Sequence, residues 1–215
     1  SKEICDSLNW LGLNWDEKIF FQSKNKENHV KHAEKLLEKG LAYRCYCSKE
    51  DLQKEKNNAL KNKLPYKYSG KCRNLVEKQD KDFVVRIKVP KSGNITLKDD
   101  VQGHISISNQ NIEDFIILRS DYTPTYLLSV VIDDYFMKVS NVIRGDDHLT
   151  NTFKQIILYN AFDWKLPSFA HIPLIYGSDG AKLSKRHGAQ SILKYKENKI
   201  LPNALNNYLI RLGWG

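Results

Sequence analysis

The sequence is poor in cysteine and has no long apolar run, and each shortage excludes a class of protein. Four cysteines among 215 residues are too few for a disulfide scaffold and favour a reducing compartment, here the cytoplasm. No apolar segment approaches the ~20 residues that a membrane span requires, and from the polar first residues we expect no signal peptide. Because the first residue is not methionine, we expect the sequence to be part of a longer chain.

Positive charge dominates the composition. Lys and Arg number 34 against 25 Asp and Glu, which gives a net charge of +9. This balance favours an anionic partner such as nucleic acid or nucleotide. A solvated basic surface without such a partner is an equally frequent meaning of the same balance. With 41% hydrophobic residues, the chain can also bury a substantial core.

Hydrophobic spacing predicts an α/β chain with a β-rich middle. Helices are predicted over 29–38, ending at Gly40, and from an N-cap at Ser48 to about 63, with a strand over 42–47 between them. The next predicted strands, which we expect to form one small antiparallel sheet inserted as a unit, are 83–89, 94–98, 104–108 and 115–119. Strands over 139–144 and 169–175 then alternate with helices over 153–161, 191–197 and 203–212, as in a parallel α/β unit.

A basic loop follows the predicted strand that ends at Ile175. The run Lys182-Leu183-Ser184-Lys185-Arg186 places two Lys and one Arg close together, beside glycines. Cationic side chains stabilise the charge of a polyphosphate, and a loop of this kind can open and close around it. A basic surface turn is the more frequent meaning of such a run, so the loop alone does not identify a nucleotide site.

An arginine at a strand end is the second candidate for ligand binding. Arg144 ends the predicted strand and is followed by Asp146 and Asp147, and Tyr126 lies 18 residues before it. Ligands bind at the carboxyl ends of parallel strands, and the arginine fork binds a carboxylate through two parallel hydrogen bonds. The alternative is that Arg144 pairs with Asp146 or Asp147 for structural reasons only.

Three cysteines form a candidate metal site. Cys45 and Cys47 are one residue apart, and Cys72 follows after 24 intervening residues. Two such cysteines can share a zinc ion and a distant third can close the loop, but tetrahedral zinc needs a fourth ligand. The alternative is three free thiols without a metal.

Together these motifs resemble the bacterial-type glutamyl-tRNA synthetases, which are class I aminoacyl-tRNA synthetases. The basic loop is similar to the Lys-(Met/Leu/Ile)-Ser-Lys-(Ser/Arg) signature of that class, and the run from Leu201 to Trp214 resembles the segment that follows it in the glutamyl member. The segments 124–126 and 143–147 resemble the Pro-Thr-Tyr and Ile-Arg-(Gly/Ala)-acidic-acidic segments of that family. The resemblance implies a glutamate–tRNA ligase that forms glutamyl-adenylate.

The resemblance also implies the architecture. The expected fold is α/β, a class I synthetase Rossmann-like parallel sheet, incomplete at its N-terminus, with an inserted α+β acceptor-binding domain. Residues 1–42 would be the remainder of the first half of the catalytic domain and 43–122 the inserted acceptor-stem-binding domain. Residues 123–215 would form the second catalytic half and begin the stem-contact helices.

Roles for individual residues follow from the same resemblance. It implies that Tyr126 and Arg144 bind glutamate, and that Lys185 is the catalytic lysine, supported by Lys182. The ATP-binding residues, with Mg²⁺ accompanying the ATP, would be Lys182, Leu183, Ser184, Lys185, Arg186, Asp147, His148 and Ile175. This chain has Asp146 where Glu is common in the family.

The resemblance extends to the zinc site. Relatives with zinc carry a His at the position of Asn74, and some use a Tyr at the position of Tyr68. The implied ligands are therefore Cys45, Cys47, Tyr68 and Cys72.

The other class I signature, His-Ile-Gly-His, has no counterpart in this sequence. The segment His29-Val30-Lys31-His32 lacks its glycine and lies in a predicted amphipathic helix. We therefore expect the 215 residues to be an interior portion of the catalytic region, monomeric and inactive alone. Three alternatives stay open: a relative that attaches glutamate to a queuosine nucleoside of tRNA-Asp, a non-catalytic zinc-stapled RNA-binding fragment, and a synthetase that charges tRNA-Gln as well as tRNA-Glu.

Overall fold

Helices and strands alternate along most of the chain. The computed structural model describes residues 2–75, 79–177, 179–183 and 190–212. Its α-helices are α1 (Lys2–Trp10), α2 (Lys26–Glu38), α3 (Lys49–Lys61), α4 (Tyr126–Phe136), α5 (Leu149–Phe162), α6 (Ile192–Glu197) and α7 (Pro202–Arg211). Its strands are β1 (Ala42–Cys45), β2 (Val84–Ile87), β3 (Asn94–Asp99), β4 (Gly103–Ser108), β5 (Ile116–Leu118), β6 (Asn141–Gly145) and β7 (Ser168–Ile172). Among the helices described, none is long and apolar enough to cross a membrane.

The described residues form two compact units. The larger unit contains residues 21–144 and 148–171, and the smaller one contains residues up to 20, residues 145–147 and the described residues from 172 onward. In the smaller unit α1 packs against α6. Ser191 donates a hydrogen bond of 2.7 Å to Glu3 Oε1, and Asn206 donates one of 3.0 Å to the carbonyl of Leu11. These bonds tie the first helix of the chain to the last two.

Two sheets organise the larger unit. One is a three-stranded sheet in the order β1-β2-β5, whose neighbouring strands are antiparallel. The other has four strands in the order β4-β3-β7-β6. In it β3 and β4 form an antiparallel hairpin, and β3 pairs in parallel with β7 through Asp99 and Phe169.

The expectation of one inserted antiparallel sheet is therefore wrong. Strands β2 and β5 join β1, whereas the β3–β4 hairpin extends the sheet of β6 and β7. The pattern on which the expectation rested is the alternation in β3, where Ile95, Leu97 and Asp99 are buried and the residues between them are exposed. Alternation of this kind shows that a strand covers a core on one face, but it does not specify which sheet the strand extends.

Local signals predicted α2 and α3. In α2 the buried positions His29, Ala33 and Leu36 follow helical spacing, and Gly40 lies after the helix with φ of +66°, where glycine carries no steric cost. Ser48 begins α3, because its hydroxyl accepts a hydrogen bond of 3.1 Å from the Asp51 amide. Such a bond satisfies one of the free amides of the first turn.

The main core lies between the helices and sheets of the larger unit. Helices α2, α4 and α5 contribute Leu36, Ile132 and Leu158, and strands β2 and β5 contribute Ile87 and Ile117, all less than 2% exposed. These side chains belong to one continuous cluster. A separate cluster of Tyr43, Cys45, Tyr68 and Cys72 lies at the other end of β1, where the chemistry is polar rather than apolar.

Candidate active site and metal centre

Arg144 is held at the end of β6 by four side chains. Its Nε donates to His171 Nε2 at 3.1 Å, and its Nη2 donates to Thr152 Oγ1 at 2.8 Å and to Gln155 Oε1 at 2.7 Å. Its Nη1 makes, among the described residues, one hydrogen bond, at 3.5 Å to the hydroxyl of Tyr126. The protein thus fixes one side of the guanidinium and leaves donor capacity on Nη1, which suits the binding of a carboxylate.

Three of the four partners of Arg144 are buried and come from α5 and β7. Thr152 and Gln155 lie one turn apart on α5 and are 0% and 2% exposed, and His171 lies on the neighbouring strand β7 and is 0% exposed. The Nε2 atom of Gln155 is buried and has no hydrogen-bond partner among the described residues. Buried polar groups are almost always paired, so this amide nitrogen offers a donor to a water or ligand oxygen.

Tyr126 and His148 lie beside this arginine. Tyr126 is the first residue of α4 and is 47% exposed. The ring of His148 lies 6.2 Å from the ring of Tyr126, and its Nδ1 is 3.2 Å from the Asn151 amide nitrogen. The structure therefore brings three predicted site residues, Tyr126, Arg144 and His148, into one neighbourhood.

A carboxyl with a raised pKa lies near the same arginine. Burial raises the pKa of Asp134 to about 6; the positive charge of Arg144 opposes this shift and the neighbouring Asp133 adds to it. The second carboxylate, Asp133, is fully committed elsewhere: it accepts from Gln22 and Asn25 and contacts His29 Nε2 at 2.7 Å. The adjacent acids on α4 therefore have different roles, one structural and one titratable.

In the smaller unit, Lys182 pairs with Asp147. Lys182 Nζ donates to Asp147 Oδ2, and both side chains are partly exposed. Two backbone hydrogen bonds lie at the start of the basic loop. The Leu183 amide donates to the Ile175 carbonyl at 2.9 Å, and the Gly177 amide donates to the Ala181 carbonyl at 2.8 Å. This places Ile175 and Leu183 side by side, while the predictions for Ser184, Lys185 and Arg186 fall outside the described residues.

Glycine at position 145 has a steric reason. A Cβ there would lie 2.8 Å from Asp147 Oδ1 and 3.0 Å from Leu174 Cδ2. The first distance is shorter than real Cβ contacts allow, so any larger residue would displace the Asp147 carboxylate. The glycine between the predicted arginine and the acidic pair therefore makes room for the carboxylate that binds Lys182.

The three predicted cysteines and the tyrosine converge in the larger unit. The Sγ atoms of Cys45, Cys47 and Cys72 lie within 4.8 Å of one another. The Tyr68 hydroxyl is 3.2 Å from Cys45 Sγ and 3.6 Å from Cys47 Sγ, and Cys47 and Cys72 are 3.6 Å apart. Four donors that lead from β1 and from the 68–72 turn thus face a common point, which fits a tetrahedral metal site.

The surroundings favour the anionic form at one of these groups, Cys45, and the neutral form at two others. Burial raises the pKa of Cys47 to about 12 and also raises the pKa of Tyr68. At Cys45 burial acts in the same direction, but hydrogen bonds from Tyr68 and the Cys47 backbone, together with Arg86, outweigh it and lower the pKa. Arg86 is 5% exposed, its guanidinium lies 3.8 Å from the centre of the Tyr68 ring, and its Nε has no partner among the described residues.

Sequence reasoning missed the residues that support these sites. His171 had a signal, since it is a polar residue in an apolar strand, whereas Thr152 and Gln155 lie in the mostly polar first half of α5. Asp99 and Arg86 had none, because each is distant in sequence from the residue that it contacts. Only the sheet pairing brings them together.

Comparison with known proteins shows the family to which the chain belongs. The family model described as "tRNA synthetases class I (E and Q), catalytic domain" matches residues 1–215. Glutamate–tRNA ligase 1 of Gluconacetobacter diazotrophicus is 50% identical over 99% of this chain, which covers 46% of that relative. Glutamate–tRNA ligase of Lawsonia intracellularis is 47% identical over 98% of the chain, or 45% of its own length.

Solved structures agree as well. A glutamate tRNA ligase from Elizabethkingia meningosepticum, crystallised in complex with its amino acid, matches with a TM-score of 0.76 and 28% identity, over 86% of this chain and 41% of that one. The chain thus spans about half the length of the curated relatives it matches. These matches confirm the α/β fold and the resemblance derived from the motifs. Because the family model matches along its whole length, this chain belongs to the catalytic-domain family of the class I tRNA synthetases for Glu and Gln.

Proposed function

We propose that this chain works as part of a glutamyl-tRNA synthetase, which uses ATP to join glutamate to tRNA-Glu through glutamyl-adenylate. The observation that carries the proposal is the Arg144 guanidinium, which four side chains hold in place while Nη1 and the Tyr126 hydroxyl remain close together. The names of relatives that are 47–50% identical to the chain support it.

In this proposal Arg144 and Tyr126 bind the glutamate substrate. The arginine supplies charge and two-pronged geometry to a carboxylate, and the tyrosine supplies a hydroxyl donor. One carboxylate oxygen of glutamate attacks the α-phosphorus of ATP, the bond to the bridging oxygen breaks, and pyrophosphate leaves. The reaction needs alignment and neutralisation of charge rather than a protein nucleophile.

The proposed ATP-binding residues are those of the basic loop together with Asp147, His148 and Ile175. Lys182 neutralises phosphate charge, its pairing with Asp147 orients the ammonium group, and Lys185 is the proposed catalytic lysine. Leu183 and Ile175 flank the nucleotide, His148 contacts it, and Ser184 and Arg186 complete the loop. Mg²⁺ bound together with the ATP would help to neutralise the charge of the leaving pyrophosphate.

We propose the same three segments that the resemblance implies. Residues 1–42 and 123–215 belong to the catalytic domain, and residues 43–122 approach the acceptor stem of the tRNA. The support for the last part is basic charge on α3 and the turn after it: Lys49, Lys54, Lys56, Lys61, Lys63, Lys67 and Lys71. Such side chains neutralise phosphates and steer association. A monomer in the cytoplasm, where tRNA is charged, completes the proposal.

Zinc is a further part of the proposal. Cys45, Cys47, Cys72 and Tyr68 would hold one ion, since their donor atoms already converge. The bound ion would supply structural stability rather than catalysis, as closed four-ligand sites do. Arg86 would compensate the excess negative charge of three thiolates and a phenolate.

The test is aminoacylation with labelled glutamate and ATP by the complete gene product. We expect charging of tRNA-Glu, no attachment of glutamate to tRNA-Asp, and a large loss of rate in Lys182→Ala. A tRNA-modifying relative also carries a tyrosine in its zinc site, so Tyr68 favours it as the second candidate, and labelling of tRNA-Asp alone would establish it. Parallel reactions with tRNA-Gln decide whether both tRNAs are substrates.

The 215 residues expressed alone provide the matching control. Because the sequence has no counterpart of the His-Ile-Gly-His signature, we expect them to give no glutamate-dependent exchange of pyrophosphate into ATP, with or without tRNA-Glu. Turnover by this fragment would contradict the proposal that part of the active site lies on residues other than these. Binding of tRNA without any turnover of the complete gene product would instead favour the non-catalytic RNA-binding alternative.

A further inference from the structure

A buried carboxylate, that of Asp99, is connected to Arg144 through the side chain of His171. Asp99 Oδ2 is 2.6 Å from His171 Nδ1, and both side chains are 0% exposed. His171 Nε2 in turn accepts from Arg144 Nε at 3.1 Å. Asp99 ends β3 of the hairpin, so a residue of the proposed acceptor-binding segment reaches the proposed glutamate-binding arginine through a single imidazole.

Three side chains face the ring nitrogens of His171, and Asp99 and Arg144 decide where its proton lies. The third, Thr152, has a hydroxyl 3.0 Å from Nε2 that can donate to a bare nitrogen. Asp99 is ionised: burial alone would raise its pKa, but hydrogen bonds from the Gln102, His171 and Val101 amides and from the His171 ring outweigh it and lower the pKa to about 2. An ionised carboxylate only accepts, so His171 Nδ1 must carry a hydrogen. Arginine only donates, so Nε2 of His171 must carry no hydrogen. The imidazole is therefore neutral and protonated on Nδ1.

We propose that Asp99 is a positioning residue for glutamate binding: by holding the proton of His171 on Nδ1, it keeps Nε2 as the acceptor that orients the Arg144 guanidinium. The inference rests on the proposed role of Arg144 and deepens it. A purely structural role for Asp99 would require only a filled, hydrogen-bonded site. It would not depend on which nitrogen of His171 carries the proton.

Asp99→Asn separates these two roles because the geometry dictates how the new amide must lie. Asp99 Oδ1 accepts three backbone hydrogen bonds, from Val101, Gln102 and His171. In the variant the amide oxygen must stay at this position, so the amide NH₂ group takes the place of Oδ2 and faces His171 Nδ1. That nitrogen then becomes the acceptor, and the proton moves to Nε2, where it opposes the N–H of Arg144.

The first measurement is the tautomer itself, from long-range ¹H–¹⁵N correlation spectra of the 215-residue chain. The His171 signals are assigned by their loss in His171→Gln. We expect a proton on Nδ1 in the wild type and on Nε2 in Asp99→Asn. A wild-type imidazole that is protonated on Nε2 or charged at pH 7 would overturn the inference, whatever the enzyme's activity.

The second measurement is steady-state charging by the complete gene product. In Asp99→Asn we expect the KM for glutamate to rise about tenfold or more, because Arg144 loses one charge-assisted hydrogen bond. The KM for ATP should stay unchanged. The matched control is Asp114→Asn, which alters another buried carboxylate, bonded to Tyr43 and the Val89 amide. It should lower stability and leave the KM for glutamate unchanged.

Arg144→Lys separates failure of the inference from failure of the proposed function. An unchanged KM for glutamate in Arg144→Lys would remove Arg144 from the proposed site. A raised KM in Arg144→Lys together with an unchanged KM in Asp99→Asn would overturn the positioning role alone.

A second pair of variants covers poor folding of Asp99→Asn. His171→Gln keeps an N–H that can donate to Asp99 and an oxygen that can accept from Arg144, whereas the methionine of His171→Met offers neither an N–H nor an oxygen acceptor. We expect a KM for glutamate within about threefold of the wild type in His171→Gln and about tenfold above it in His171→Met. Equal KM values in the two variants would overturn the inference.

Discussion

Asp134 illustrates what a single half-buried carboxyl does to stability. Burial raises its pKa to about 6, above the unfolded value of about 4. Between these values the folded chain binds more protons than the unfolded chain, so the free energy of unfolding falls as pH rises from about 4 to about 6 and stays low above it. Asp134 therefore costs stability at neutral pH.

Replacing Asp134 by Asn should remove this cost. We expect Asp134→Asn to be more stable at pH 7.5 by about 1–2 kcal/mol, less than the full shift implies because solvent reaches part of the side chain. Urea unfolding between pH 4 and pH 7.5 measures both the gain and the smaller pH slope. Asp163→Asn, at an exposed position after α5, is the control that should keep the wild-type slope. A variant less stable than the wild type at pH 7.5 would contradict the assignment.

Motif spacing brought the proposed substrate-binding residues to notice, but it did not predict the residues that support them. Tyr126 and Arg144 lie together, as do Lys182 and Asp147, because each belongs to a short segment with its own pattern. Asp99 and His171 are separated by 72 positions and meet only after β3 pairs with β7. Tertiary pairing of this kind leaves no local trace in the sequence.

At the scale of the element, the signals that proved reliable were those of helix ends. Helix α3 has no buried residue and a run of Lys and Asn, so its packing contributes little and its cap contributes more. The Ser48 hydroxyl accepts from the Asp51 amide, and the acidic side chains of the first turn interact favourably with the helix dipole. Such a helix depends on its N-terminus to a greater extent than a buried one.

Ser48→Ala should therefore loosen α3 locally. We expect a cost of about 1 kcal/mol, seen as faster hydrogen exchange of the amides over 51–54, with little change in exchange at the core strand β2. Ser48→Asp keeps an acceptor at the cap position and is the matched control, which should exchange at the wild-type rate. If Ser48→Ala and Ser48→Asp exchange alike, the cap does not hold the helix.

The assignment of strands to sheets was the element-scale prediction that was wrong. Period-two alternation predicted β3 and β4 as strands, and their register joins Asn94 to Ser108 and Asp99 to Gly103. Their partner sheet was not predictable, because β7 lies about 70 residues further along the chain.

At the scale of the whole molecule, two kinds of stabilisation divide the larger unit. Around β2, β5 and the helices an apolar cluster excludes water, whereas around β1 three thiols and a phenol occupy the interior. Buried thiols and a phenol beside a buried arginine gain little from hydrophobic burial. A metal ion that binds only the folded chain would supply the missing free energy through mass action.

Zinc should therefore raise the thermal stability of the 215-residue chain. At a free zinc concentration about 100 times Kd the gain is about 2.7 kcal/mol, which corresponds to a rise in Tm of about 5–10 °C for a chain of this size. Calorimetry before and after chelation, with metal analysis of the purified chain, measures the effect. Cys72→Ser should lose the response, while Cys5→Ser, which alters a cysteine of α1 outside the cluster, should keep it. An equal response to zinc in Cys72→Ser and the wild type would mean that the ion binds elsewhere, and no response in the wild type would leave the cluster as three free thiols.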